Sequence, residues 1–64
     1  MVLFTIELRH VKELRALVKR LGVTEVCRRS GMNYKTIRKI EAREAVKPET
    51  QGTLIDFLLR ERDA

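Results

Sequence analysis

The apolar residues of the first third of the chain recur at spacings of three and four, which is typical of a helix that buries one face. They are Leu8, Val11, Leu14, Leu17, Val18 and Leu21. We predict a helix from Thr5 to Leu21, because Thr5 can cap its start and Gly22 ends it. The apolar residues before it, Met1–Phe4, form either a short β-type segment or a lead-in that packs on a partner subunit.

Two short helical segments separated by a glycine come next. In the first, Thr24 offers a hydroxyl as N-cap, and the helix runs to Ser30 with Val26 and Cys27 facing the interior. Gly31 ends this helix, because glycine enters the positive-φ conformation of a tight turn at little cost. The pattern therefore predicts a short helix that stops at a sharp bend.

The segment after the bend is predicted to be a third helix, from Tyr34 to about Ala42. Asn33 is a good N-cap, and Ile37 and Ile40 have the spacing of core positions. The remaining side chains of this helix leave their polar groups available to water or a ligand. They are Tyr34, Lys35, Thr36, Arg38 and Lys39.

A fourth helix is predicted after a polar connection. Pro48 suits its first turn, because the amide proton that proline lacks has no partner there; Gly52, which weakens these turns, is the alternative start. Its apolar face consists of Leu54, Ile55, Phe57, Leu58 and Leu59. These elements predict an all-α fold, a small four- to five-helix bundle with a possible short N-terminal extended segment, in a single domain over residues 1–64.

The composition favours a polyanionic partner. Lys and Arg account for 14 of the 64 residues, and the formal net charge is +5. A basic domain of this kind attracts nucleic acid more often than any other polyanion. So short a chain leaves little material for a catalytic cleft, so we predict no enzymatic activity, no cofactor and no small-molecule substrate.

Metal-binding and membrane signals are weak in this sequence. His10 is the only histidine, and we interpret it as a surface residue, while the single cysteine, Cys27, is interpreted as a small core residue. The apolar stretch Val2–Ile6 is too short to span a membrane or to act as an export signal. We therefore expect no metal, no membrane association and a reducing, cytoplasmic compartment.

One motif in the middle of the chain is more specific than these patterns. The stretch Thr24–Glu41 reads T-E-V-C-R-R-S-G-M-N-Y-K-T-I-R-K-I-E, with the small residue Cys27 four positions before Gly31 and a T-I-x-x-I-E run at Thr36–Glu41. This pattern resembles the helix-turn-helix of phage Cro/repressor-type regulators, also called the xenobiotic-response-element type. The later Pro48, with Thr-Leu in the same helix, matches a further tendency of that family.

The resemblance covers about Leu14 to Leu59 and implies a lambda-repressor-like fold with a helix-turn-helix at about residues 24–42. It implies sequence-specific binding of double-stranded DNA by a small transcriptional regulator, with repression as the expected outcome. The helix Tyr34–Ala42 then reads the major groove. The implied base contacts are Tyr34, Lys35, Thr36, Arg38 and Lys39, and the implied phosphate contacts are Thr24, Arg28, Asn33, Arg43 and Lys47. Arg15 is the candidate for a helix-one arginine that pairs with Glu41 in this family.

A regulator of this size is expected to act as a homodimer, because one copy reads too few base pairs. The favoured dimer contact is the C-terminal helix, through Leu54, Phe57 and Leu58, and the alternative is the Met1–Ile6 segment. A different function also fits the sequence: a protein-interaction module, such as a small antitoxin-like partner-binding protein, whose binding faces are Val2–Ile6 and the C-terminal helix.

Overall fold

The computed structural model describes residues 2–63, and this part of the chain forms four α-helices. Their bounds are α1 Leu8–Leu21, α2 Val23–Ser30, α3 Tyr34–Glu41 and α4 Pro48–Asp63. One isolated antiparallel bridge joins Phe4 to Val46, and the described residues contain no longer β-structure. The predicted all-α class is therefore confirmed, and the bridge at Phe4 lies in the segment for which a β-type conformation was one of two alternatives.

The first helix begins later than the sequence predicted. Phe4 and Val46 exchange two backbone hydrogen bonds of 2.7 Å, which tie the N-terminal segment to the connection between α3 and α4, and Glu7 is the residue that precedes α1. Thr5 therefore does not cap α1, and no side chain does. Leu8 was predicted to be part of the buried stripe, but its side chain is 42% exposed because it lies at the very start of the helix.

Helices α1 and α2 are joined by a single residue. Gly22 adopts φ 88°, a conformation that favours glycine, and its amide donates to the carbonyl oxygen of Val18. Because α2 starts immediately afterwards at Val23, Gly22 also occupies the N-cap position, and no side chain caps α2. The predicted capping role of Thr24 is wrong: this residue lies inside the first turn and is exposed.

The turn between α2 and α3 follows the prediction closely. Gly31 is left-handed, with φ 77° and ψ 5°, and its amide donates to the carbonyl oxygen of Cys27. Asn33 caps α3, its side-chain oxygen accepting from the amide of Thr36 at 2.8 Å. These two interactions fix both ends of a turn of three residues, and they set the direction in which α3 leaves α2.

A single cluster of buried side chains holds the helices together. Its members are Ile6, Val11, Leu14, Leu17, Val26, Met32, Ile37, Ile40, Val46, Leu54, Phe57 and Leu58. Helices α1, α2 and α4 contact one another, and α3 packs against α1 and α2. Cys27 packs against this core as predicted, but His10 is half-buried rather than on the surface, and its Nδ1 has no hydrogen-bond partner among the described residues.

The same cluster corrects the favoured dimer contact. Leu54, Phe57 and Leu58 are 0%, 1% and 1% exposed, because they fill the interior of one chain between α4 and the other helices. Side chains that are buried in the core of one chain cannot also contact a second subunit. The apolar pattern of α4 is thus a core pattern, and only Leu59 among its large apolar side chains is exposed. Of the alternative Met1–Ile6 contact, Met1 lies outside the described residues.

Candidate nucleic-acid interface

Helix α3 has one face fixed in the core and one face open to solvent. Ile37 and Ile40 are fully buried, and they anchor the helix against α1 and α2. With about 100° of rotation per residue, Lys35 lies directly opposite this pair and Lys39 lies one turn further along. Both lysines are exposed, and neither forms a salt bridge within residues 2–63. We call Lys35, Arg38 and Lys39 the α3 basic face.

Within the α3 basic face, Arg38 forms a small network with Tyr34, which lies at one edge of the face. The Arg38 Nε donates to the Tyr34 hydroxyl at 2.9 Å, and the guanidinium carbon lies 4.9 Å from the centre of the Tyr34 ring. The hydrogen bond to Tyr34 and the nearby Glu41 carboxylate, 3.5 Å away, raise the pKa of Arg38 above its ordinary value. Tyr34 is 51% exposed, so an aromatic ring and a cation stand together at the start of α3.

On its other side the basic face adjoins a shallow cleft. This cleft lies between α3, the extended N-terminal segment and the start of α4. Its lining residues are Leu3, Thr36, Lys39, Ala45, Val46, Lys47 and Thr50. Thr36 is half-buried here, at the edge of α3 rather than on its outermost line, and two lysines share the cleft with it. The predicted base-contact residues therefore lie together on the exposed part of one short helix, with Thr36 and Tyr34 at its two edges.

The predicted phosphate contacts divide into two groups. Asn33, Arg43 and Lys47 are exposed and flank α3, at its start, just after its end and at the start of α4. Thr24 and Arg28 lie on α2, which is a separate surface with its own acidic residue. The cap of α3 uses only the side-chain oxygen of Asn33, so the side-chain nitrogen remains able to donate a hydrogen bond.

The α2 surface is dominated by a carboxylate that binds two arginines. Glu25 accepts from Arg28 at 3.0 and 2.5 Å and from Arg29 at 2.7 Å. These hydrogen bonds, that from Arg28 first, hold the pKa of Glu25 at about 2, well below its ordinary value. Arg29 reaches further, to Glu61 on α4 at 3.1 Å. The charges of this surface are therefore paired within the protein. The spacing of Glu25 from the two arginines, three and four residues, is the sequence signal for this arrangement.

The end of α3 is closed by residues that the sequence did not indicate. Arg43 adopts φ 60°, a conformation usually taken by glycine, and its amide donates to the carbonyl oxygen of Ile40. The amide of Glu44 donates to the carbonyl oxygen of Lys39 at 3.0 Å. Nothing in an arginine at this position signals a left-handed helix end, so this feature was not predictable.

Arg15 does reach Glu41, but not in the way the family resemblance implied. Its guanidinium donates to the backbone carbonyl oxygen of Glu41 at 2.5 Å, whereas the carboxylate of Glu41 faces Arg38. An arginine at the C-terminal end of a helix also interacts favourably with the helix dipole. The contact joins α1 to the last turn of α3.

Other kinds of site find no counterpart in the described residues. Within residues 2–63, no three His, Cys, Asp or Glu side chains are grouped as metal binding requires. None of the four described helices combines the length and the apolar content that crossing a bilayer demands. Comparison of the chain with protein-family models, with curated proteins and with solved structures gives no match.

Proposed function

We propose that this protein is a small transcriptional regulator, a repressor, that binds double-stranded DNA in a sequence-specific manner. The observation that carries the proposal is the α3 basic face. Lys35 and Lys39 have no acidic partner in the described chain, while the arginines of α2 are paired with Glu25. Cations without acidic partners bind the negatively charged duplex favourably, and a short, firmly anchored helix fits into the major groove.

In the proposed complex, α3 enters the major groove, as the second helix of a helix-turn-helix does. Lys35 donates to the O6 and N7 acceptors of a guanine, which is the commonest specific contact of a lysine or arginine. Tyr34 and Arg38 act as a pair at the groove edge, because the guanidinium already lies over the ring. Lys39 continues along the groove, and Thr36 contacts a base or sugar at its border.

Phosphate contacts are proposed for the residues on both sides of α3. Asn33 lies at its start, Arg43 just after its end, and Lys47 in the cleft beside Thr36 and Lys39. Such contacts fix the register of the helix without reading sequence. The amides at the start of α2, beside Thr24, are a further candidate. Arg28 is a weaker donor to DNA than these, because it first has to leave Glu25.

We further propose that two copies bind one operator and that the protein acts in the cytoplasm. With the core residues of α4 excluded, we favour the N-terminal segment for the dimer contact, because its exposed apolar side chains are consecutive, whereas Leu8 and Leu59 are exposed singly. Val2, Leu3 and Phe4 are exposed, Val2 by 66%. The same exposed residues also support the second candidate function, a protein-interaction module of the antitoxin type, since grouped exposed apolar residues mark binding surfaces.

Selection of bound duplexes from a random DNA pool tests the proposal. We expect a palindromic consensus with guanine in each half-site, and binding that weakens steeply as salt is raised. The selected duplex, a scrambled duplex and the same sequence as duplex RNA are then compared by fluorescence anisotropy. Equal affinity for the selected and scrambled duplexes, or preference for the RNA, contradicts sequence-specific DNA binding. Absence of any DNA affinity at about 50 mM salt favours the interaction module.

A further inference from the structure

The exposed side of α1 carries a row of cations that is separate from the α3 basic face. Lys12, Arg15 and Lys19 are spaced by three and four residues, so they line up along one side of the helix. All three are exposed. Lys12 and Lys19 form no salt bridge within residues 2–63. We call these three residues the α1 row.

The position of the α1 row relative to α3 is fixed by one contact. Arg15, the middle residue of the row, donates to the backbone carbonyl oxygen of Glu41 at the end of α3. Arg15 therefore lies next to the end of α3, near the exposed Arg43, and Lys12 and Lys19 lie about one turn to either side of Arg15 along α1. The Glu41 carboxylate at this junction faces Arg38.

The opposite side of α1 has a different character. There Glu13 binds Arg62 of α4, and the hydrogen bonds from Arg62 lower the pKa of Glu13. A groove between α1 and α4 on that side is lined by Glu13, Ala16, Leu17, Arg20, Glu61 and Arg62. Its two acidic and two basic side chains balance, whereas the α1 row contains three cations and no acid.

We infer that Lys12 and Lys19 form an additional DNA-backbone site, which binds the phosphates next to the base pairs read by α3. The inference rests on the proposed function and assigns a second contact region to the same protomer. Because Arg15 contacts the last turn of α3, the centre of the row lies near the C-terminal end of the reading helix. We therefore assign to the row phosphates that flank the base pairs read by α3.

The length of the row suits this role. Lys12 and Lys19 are seven residues apart, which is about 10 Å along a helix at 1.5 Å per residue. A duplex rises about 3.4 Å per base pair and its phosphates also rotate around the axis, so the row matches about two neighbouring phosphates of one strand. Flexible lysine side chains bind phosphates as point charges and need no closer geometric match. The site therefore adds affinity and salt dependence but no base specificity.

A pair of double variants with equal charge tests the inference. Lys12→Gln with Lys19→Gln removes two cations from the α1 row, and Arg9→Gln with Arg20→Gln removes two from elsewhere on α1. Lys35→Ala is included for comparison. The affinity of every variant is measured on the selected duplex, on a scrambled duplex and on a selected duplex shortened at its flanks. Thermal unfolding by circular dichroism verifies that all variants are folded.

We expect the α1-row variant to bind selected and scrambled duplexes equally less well, on the order of ten-fold at about 100 mM salt. Its log–log salt slope should be less steep by about two per protomer, and shortening the flanks should no longer weaken binding. The Arg9/Arg20 variant should retain the salt slope and the flank dependence of the wild type. Equal losses in the two double variants, or wild-type behaviour of the α1-row variant while Lys35→Ala loses specificity, overturns this inference alone. A wild-type protein without DNA affinity overturns the proposed function as well.

Discussion

Helices α2 and α3 have the same length and similar charged residues, yet they present their cations differently. Each has eight residues with two basic side chains in its last turn. On α2, Arg28 and Arg29 are bound by Glu25, which lies in the first turn three and four residues earlier. On α3 the corresponding first turn has no acid, and Lys35 takes a place there. Both arginines of α2 are thus paired with a carboxylate, whereas on α3 only Arg38 is paired, with Glu41, and Lys35 and Lys39 have no acidic partner among the described residues.

Net charge alone therefore does not locate an interface. A count of +5 spreads over the whole chain, but an arginine already paired with a carboxylate has to give up that pair before it binds a phosphate. We propose α3 as the interface because Lys35 and Lys39 have no acidic partner among the described residues. Anchoring matters equally, since α3 is positioned by Ile37 and Ile40 and by the cap at Asn33.

Removing the anchor of α3 is expected to give the largest effect. Ile37→Ala deletes a fully buried side chain, and a cavity of this kind costs about 2–5 kcal/mol of unfolding free energy. In so small a domain this approaches the total stability, so DNA affinity should fall together with the thermal midpoint. Leu59→Ala, at an exposed position of α4, is the control and should change either property little. A stable Ile37→Ala variant would show that α3 is not held by the core.

The free and the paired cations are compared directly by two alanine variants. Lys35→Ala should lose roughly 1–3 kcal/mol of binding free energy on the selected duplex and much less on a scrambled one. Arg28→Ala removes the same charge from α2 and should have the smaller effect, because this guanidinium is held by Glu25. Anisotropy titrations at one salt concentration measure both. Equal losses would erase the distinction between the two helices.

Stability and binding are expected to change in opposite directions at the end of α3. Arg43 has φ 60°, which costs about 1 kcal/mol for a residue with a Cβ, so Arg43→Gly should raise the unfolding free energy by about that amount. The same variant loses a proposed phosphate contact and should bind all duplexes less well. Arg43→Asn, which tolerates the left-handed conformation, should give an intermediate stability. Urea unfolding measures the stability and anisotropy measures the DNA affinity. If Arg43→Gly lowers both the stability and the affinity, or lowers neither, Arg43 does not have the two roles given to it here.

The smallest expected effect concerns pH and belongs to α2. The pKa of Glu25 is about 2 in the folded chain and has its ordinary value of 4.5 when unfolded. A carboxyl with a lowered folded-state pKa stabilises the fold above the unfolded value, and this contribution is lost as pH falls from about 4.5 to about 2. Thermal melts across that range should show a steeper decline for the wild type than for Glu25→Gln. Identical pH profiles would mean that the arginine pairs of α2 add nothing to stability.

Local signals made most of the fold predictable. Gly22, Gly31, Asn33 and Pro48 each act through the conformation of their own backbone or a neighbouring amide, and a sequence displays such residues directly. The start of α1 was placed too early because the bridge between Phe4 and Val46 joins residues far apart in the chain. No local pattern carries that information.

The same limit applied to the surfaces. Apolar residues on α4 were interpreted as a dimer contact, but periodicity gives only the apolar face of a helix and not what covers it. Leu54, Phe57 and Leu58 turned out to face the chain's own core. The basic residues of α3 were identifiable in advance because they alternate with two anchoring isoleucines. The pairing of Arg62 with Glu13 was not identifiable from the sequence, because the two residues are far apart along the chain.

An amide NMR titration of the uniformly labelled protein with the selected duplex, at about 100 mM salt, shows directly whether α3 contacts the DNA. We expect the largest shifts and broadening in α3, at residues 34–39, with smaller changes at Asn33, Arg43 and Lys47. The amides of Arg28 and Arg29 should move little. Shifts concentrated in residues 2–4 or on α2, with α3 unchanged, would contradict the assignment of α3 as the DNA-reading helix.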